Sequence, residues 1–202
     1  MIKYIVAALA LGTVAGYVNN NFWNLIPSNL ISNNLFSISL ILLLFVMGFS
    51  FGLDKEAMAK LKRTGTKILI FPFLVALGSI LGGLVGGLIL RLDIVASMAV
   101  SAGYGWYTLA GPLIGQLFGA EFGALGFAAN FLRELFTIVS ISLMLKFDRY
   151  APVASGGATT MDTTLPVIVR YCGSDMLITA VSNGFILTLI APFTIIALAS
   201  LI

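Results

Sequence analysis

The chain has 202 residues, of which 59% are hydrophobic and only 9% charged, 11 basic and 8 acidic, against roughly 45–50% apolar and 25% charged in a soluble domain. With a mean hydropathy of +1.07 and too few charges to cover a water-facing surface, it reads as an all-α polytopic membrane protein, and about 20 residues per crossing leave no room for a soluble domain. The absence of histidine and the single cysteine, Cys172, exclude a histidine-built metal site or triad and an intrachain disulfide, so neither metal nor cofactor is expected, and the apolar excess excludes a disordered chain.

The first apolar run, Tyr4 to Tyr17, follows Lys3. A short apolar core behind a charge also fits a cleaved signal peptide, but the run is read as a retained first span. Asn19 to Asn34 is an uncharged, Asn-rich connection whose Phe22 and Trp23 suit the headgroup level. The second span, Leu35 to Gly52, leads into a loop crowded with Lys55, Lys60, Lys62, Arg63 and Lys67, a mark of the cytoplasmic side. The third span, Ile68 to Leu90, carries Gly78, Gly82 and Gly86 on one face, where a close helix–helix contact is expected.

Two later segments are poor candidates for simple spans. Ile94 to Gly119 contains Gly103, Gly105, Gly111 and Pro112, and Ala151 to Tyr171 contains a Gly pair, four threonines, Asp162, Pro152 and Pro166. A regular helix through either would break near its centre. Between them Ala120 to Leu145 reads as a continuous span, and Met176 to Ile202 as the last one. If both broken segments turn back, Lys3, Lys55, Lys60, Lys62, Arg63, Lys67, Lys146, Arg149 and Arg170 share the cytoplasmic side, with Arg91 outside and Arg133 in the bilayer. Full crossings would move Lys146 and Arg149 outside. The distribution of basic residues therefore favours about five transmembrane helices plus two re-entrant segments entering from opposite faces. Irregular backbone at that depth is tolerated only where it is buried in protein or lines a wet cavity, which implies a central site.

Polar residues at membrane depth are the candidate site. Glu134 falls near the middle of its span, where burying a charge costs ~3 kcal/mol or more. Asn130, Glu134 and Thr137 form a short polar stripe at i, i+4 and i+7. Arg133 is adjacent to Glu134 but projects about 100° away on a helix, a poor arrangement for mutual neutralisation; it suits either a carboxylate or a steadying contact. A carboxylate in low dielectric is disfavoured as a bare charge, which fits Glu134 to exchange a proton or pair with a cation. Asp162 is expected to cap the half-helix running through Pro166 to Arg170, a helix start that can hold a substrate carboxylate, with Thr159, Thr160, Thr163 and Thr164 as hydroxyl ligands. Tyr104, Trp106 and Tyr107, among glycines, can hold an ammonium by cation–π contact or form an interfacial belt. Asn183, between Ser182 and Gly184, can line the same cavity or hydrogen-bond between helices.

GYGWYTLAGPL (Gly103 to Leu113), NFLRELFTIV (Asn130 to Val139), GATTMDTTLPVIVR (Gly157 to Arg170) and NGFILTLIAP (Asn183 to Pro192), in that order, resemble the signature of the LysO-type lysine exporter family. The resemblance covers about Asn34 to the C-terminus, and the Lys-rich loop is also similar. It implies export of L-lysine and lysine analogues across the cytoplasmic (inner) membrane of a prokaryote in exchange for protons, with Glu134 matching the family's intramembrane glutamate. Typical members are longer, with additional N-terminal spans carrying another functional acid. Here one short span, without a membrane acid, precedes the matching region. The expectation is one integral membrane transport domain over 1–202, with 1–33 as first span and outside loop and 34–202 as the LysO-like region. The missing part would come from a second copy in a homo-oligomer or from a small membrane protein.

With no nucleotide-binding motif to drive a pump, the residues themselves point to a secondary transporter in membrane lipid, with no nucleic-acid partner and no enzymatic activity. In the expected cycle the ε-ammonium of lysine meets Glu134 and the aromatics, its carboxylate meets the helix start near Asp162, and protonation of Glu134 releases it. The alternatives are a Na⁺ or other cation/proton antiporter using Asp162, threonine hydroxyls and unwound carbonyls, and a non-transporting subunit of a two-component transporter.

Overall fold

In a computed structural model of the chain the described residues are 10–12, 14–23, 36–53 and 66–202. The chain divides into two compact units, Met1–Phe49 and Ser50–Ile202. In the first, residues 10–12 and 14–18 are helical and Asn19–Trp23 forms a π-helical turn, with the Asn21 amide donating to the Tyr17 carbonyl at 2.9 Å. Helix α1, Phe36–Leu53, coincides with the second expected span. The start of the first expected span with Lys3, and Lys55, Lys60, Lys62 and Arg63, lie outside the described residues.

The larger unit is built on three helices long and apolar enough to cross a membrane, Ile70–Leu90, Ala120–Met144 and Ser174–Ala199; the described residues contain no strand. Helix α2, Thr66–Leu90, follows from an uninterrupted apolar run, with Pro72 close enough to its start to be accommodated. It ends where Arg91 adopts a positive φ of 55°. Asp93 then caps α3, Ile94–Ser101, its Oδ1 accepting from the Ala96 amide at 2.7 Å.

Helix α3 runs back along α2, with Ser97 against Gly87 and Ser101 against Gly83, so close that a Cβ on Gly83 would lie 2.1 Å from the Ser101 Oγ. The close contact expected at Gly78, Gly82 and Gly86 is therefore not the one made with α3. A Cβ on any of these three meets nothing within 4 Å among the described residues, because the tight seam uses the next face of the same glycine-rich stretch. Spacing alone does not distinguish the two faces.

The chain breaks after Ser101, and α4, Tyr107–Phe118, returns antiparallel to α5, Ala120–Met144, after a turn at Gly119. Gly111 and Gly115 of α4 face Gly123 of α5, and a Cβ on Gly123 would lie 2.7 Å from the Gly115 Cα, so these backbones approach without intervening side chains. The second broken segment comprises α6, Ala151–Gly156, a 3₁₀ turn over Gly157–Met161, and α7, Leu165–Cys172. Its two ends meet: Arg149 donates to the Cys172 carbonyl at 3.2 Å and pairs with Asp175. Ile141, Val153, Ile168, Met176 and Ala180 form the apolar cluster that closes this end. Helix α8, Leu177–Ala199, completes the unit.

Both broken segments therefore turn back, and from opposite ends. Phe71 near the start of α2 packs on Tyr150, ring centroids 6.0 Å apart, which puts Lys67 at the end that also holds Lys146, Arg149 and Arg170, while Arg91 lies at the other end of α2. Among the described residues outside the membrane interior, Lys146, Arg149 and Arg170 thus lie at one end of the unit and Arg91 at the other. Asp162 does not take the capping position expected for it: Thr164 precedes α7, without a side-chain cap. The 3₁₀ turn ends at Met161, so Thr163 and Thr164 separate Asp162 from the helix.

Candidate functional site

The tips of the two hairpins meet in the centre of the unit. The Ala158 amide donates to the Tyr104 carbonyl at 2.8 Å. Gly157, at φ 63°, faces the same carbonyl so closely that a Cβ would lie 2.1 Å from it, and Tyr104 itself is held at φ 51°. Gly157 suits its positive φ, whereas Tyr104 is a non-glycine residue in the left-handed region, the strained geometry found where structure positions a site.

Helix α5 secures both tips with residues one turn apart. Asn130, 2% exposed, accepts from the Gly105 amide at 2.6 Å and donates to the Val100 and Gly126 carbonyls, each at 2.8 Å. Its carboxamide thereby satisfies polar groups freed by the break between α3 and α4. Arg133 donates through Nε to the Ser155 carbonyl at 2.7 Å, through Nη2 to the Ala154 carbonyl at 2.9 Å and through Nη1 to the Ser79 Oγ at 2.9 Å. Two of these acceptors lie at the C-terminal end of α6, where carbonyls have no helical partner and a cation is favoured. Thr137 bonds the Ser155 hydroxyl at 2.7 Å and the Arg133 carbonyl at 2.8 Å.

Glu134 points elsewhere. It is half-buried, and its Oε2 is buried with no hydrogen-bond partner among the described residues. Arg133, its chain neighbour, spends its bonds on Ser79 and the α6 carbonyls, as the 100° offset implies. The Tyr107 ring packs edge-on against Phe127 and Phe131 at 5.4 and 5.5 Å. Asp162 is exposed and accepts from the Thr163 amide at 2.6 Å, with the Thr163 hydroxyl 3.4 Å away.

The remaining candidates divide between these groups. Tyr104 is 0% exposed, so its ring is packed in protein, while Trp106 is half-buried at the start of α4. Thr160 is buried and bonds the Gly157 and Ala180 carbonyls at 2.8 and 2.7 Å. Asn183, also buried, donates to the Val153 and Gly157 carbonyls at 3.2 and 3.1 Å and reaches the Thr160 Oγ1 at 3.3 Å, leaving its Oδ1 unpartnered among the described residues. Thr160 and Asn183 thus anchor the second tip to α8. Ser79 and Ser155 were not singled out in the sequence. Ser79 is the lone hydroxyl in the apolar run from Ile68 to Leu90, a signal that could have marked it.

A cavity of about 320 Å³ lies between α2, α3 and α5, with Ser79, Asn130 and Arg133 among its polar lining and Gly86, Leu92 and Leu125 among its apolar walls. Glu134 is not part of that lining. The arrangement offers two chemically opposite groups, a half-buried cation beside a cavity and a half-buried carboxylate on another side of the same helix.

The family described as lysine exporter LysO matches residues 6–199. The lysine exporter LysO of Escherichia coli (strain K12) is 37% identical over 159 residues, which cover 78% of this chain and 52% of that protein. The chain thus spans about half the length of this relative. A candidate lysine exporter of Haemophilus influenzae is 28% identical over 200 residues, 97% of each chain. No solved structure matches the chain significantly. The match over nearly the whole length places the chain, a multi-pass membrane protein, in the lysine exporter LysO family.

Proposed function

We propose that the chain exports L-lysine across the cytoplasmic membrane in exchange for protons, with Glu134 alternately pairing with the substrate ammonium and carrying a proton. One observation supports this above the others: the buried Oε2 of Glu134 has no partner among the described residues, while the adjacent arginine is engaged elsewhere. An unpaired carboxylate at membrane depth is costly as a resting charge, so it favours taking up either a proton or a cation. A group that holds one or the other, but not both, is what obligatory exchange requires. Tyr107 and Asp162 would complete the cation site, and Thr163 would steady Asp162 through its amide.

The two hairpins supply the barrier in this scheme. Their tips are joined by the Ala158 amide on the Tyr104 carbonyl, and separating them would be the opening step. The test is lysine flux in proteoliposomes under an imposed pH gradient. The reading requires uphill lysine movement driven by protons in the wild type, and Glu134→Gln must abolish it while leaving the protein folded. A sodium gradient that drives lysine flux while a proton gradient does not would overturn the coupling assignment.

A further inference from the structure

We propose that the cavity between α2, α3 and α5 is a carboxylate-binding subsite, with Arg133 as its cationic floor and an aliphatic amino acid as its ligand. The guanidinium carries five N–H groups, and three of them are used on Ser155, Ala154 and Ser79. The other two, one on each Nη, have no acceptor among the described residues. Nor does any carboxylate among them lie within ion-pair distance of Arg133; the ion pair they contain is Arg149–Asp175. Among the described residues the positive charge therefore faces backbone carbonyls and a hydroxyl but no carboxylate, beside a space of about 320 Å³, within the size range of small-molecule pockets.

The surroundings select among anions. Ser79 is already in contact with the guanidinium and has a hydroxyl to offer, while Leu92, Leu125 and the open face of Gly86 give the cavity apolar walls. A small inorganic anion would leave those walls unfilled, whereas a carboxylate on an aliphatic stem uses both parts of the site. The start of α7 is the weaker location for such a group. The Asp162 carboxylate already occupies the Thr163 amide there, and a second negative charge beside it is repelled. The lysine reading supplies only the identity of the amino acid; the subsite itself is open to a binding test.

The experiment is thermal unfolding of the purified full chain in detergent, followed by tryptophan fluorescence, with L-lysine, L-norleucine, cadaverine and chloride as probes. Norleucine keeps the carboxylate and aliphatic stem without the ε-ammonium, and cadaverine keeps the amines without the carboxylate. Lysine and norleucine at about ten times their Kd should raise the midpoint by about 3–5 °C, and cadaverine and chloride should not. Gly86→Leu fills the cavity from a position where a Cβ meets nothing within 4 Å among the described residues, leaving Arg133 itself unchanged. It should keep the unliganded midpoint and lose the shifts; Arg133→Gln, which gives up hydrogen bonds to Ser155, Ala154 and Ser79 and so lowers the unliganded midpoint, should also lose them. Equal shifts with lysine and cadaverine, a chloride shift as large as that of lysine, or a lysine shift that survives in Gly86→Leu would each overturn the subsite. Failure of proton-driven lysine flux with these binding shifts intact would instead overturn the export reading and leave the subsite standing.

Discussion

The Ala158 amide and the Tyr104 carbonyl, 2.8 Å apart, join the tips of two hairpins that enter the bundle from opposite ends. Gly157 makes the approach possible, since its φ of 63° suits glycine and a Cβ would sit 2.1 Å from the Tyr104 oxygen. Gly157→Ala should therefore separate the tips. Backbone strain of this kind costs about 1–3 kcal/mol, and the clash adds to it. A lowered unfolding midpoint together with lost flux is the expected outcome in a detergent melt and a transport assay; a wild-type midpoint would contradict the junction.

Asn130 holds the first tip through three bonds, so its truncation should be expensive. Asn130→Ala leaves the Gly105 amide without its partner and removes one of the bonds to the Val100 carbonyl, at about 1–3 kcal/mol for a buried group left unsatisfied. Asn130→Asp should not rescue it, because an ionised carboxylate accepts but cannot donate to Val100 or Gly126. Equilibrium unfolding of both variants checks this, and recovery of stability in Asn130→Asp would contradict the assigned orientation of the amide.

The two faces of the glycine-rich stretch in α2 should respond oppositely to the same change. Gly83→Ala places a methyl 2.1 Å from the Ser101 Oγ and 2.6 Å from the Ser97 carbonyl, whereas Gly82→Ala meets nothing within 4 Å among the described residues. The first should loosen α3 from α2 and lower the midpoint. The second should be neutral or stabilising by about 0.5–1 kcal/mol, the usual gain of alanine over glycine inside a helix. Equal destabilisation by both would contradict the packing of α3.

These variants also separate what residue types reveal from what they do not. The breaks near Gly103–Gly105 and Gly156–Gly157 were legible because clustered glycine, proline and threonine cannot continue an apolar helix. The turn-back of both segments was legible from the cost of placing Lys146 and Arg149 on the wrong side. Glu134 stood out because a charge at mid-span has few structural uses. The packing face of α2 was not legible, since Gly82, Gly83, Gly86 and Gly87 offer two equivalent stripes and only the partner decides between them. The duty of Arg133 was equally hidden: its acceptors are backbone carbonyls of Ala154 and Ser155, and any residue type would supply those. The place of Asp162 depended on where a 3₁₀ turn ended, a matter of one or two residues.

The central claim is that Glu134 exchanges lysine for protons. Its most direct test is lysine-dependent proton movement in proteoliposomes of uniformly oriented protein, read with an internal pH dye alongside radiolabelled lysine. Wild type should move protons opposite to lysine, and Glu134→Gln, with an unchanged unfolding midpoint, should show neither signal. Proton-coupled lysine flux persisting in Glu134→Gln would contradict the account.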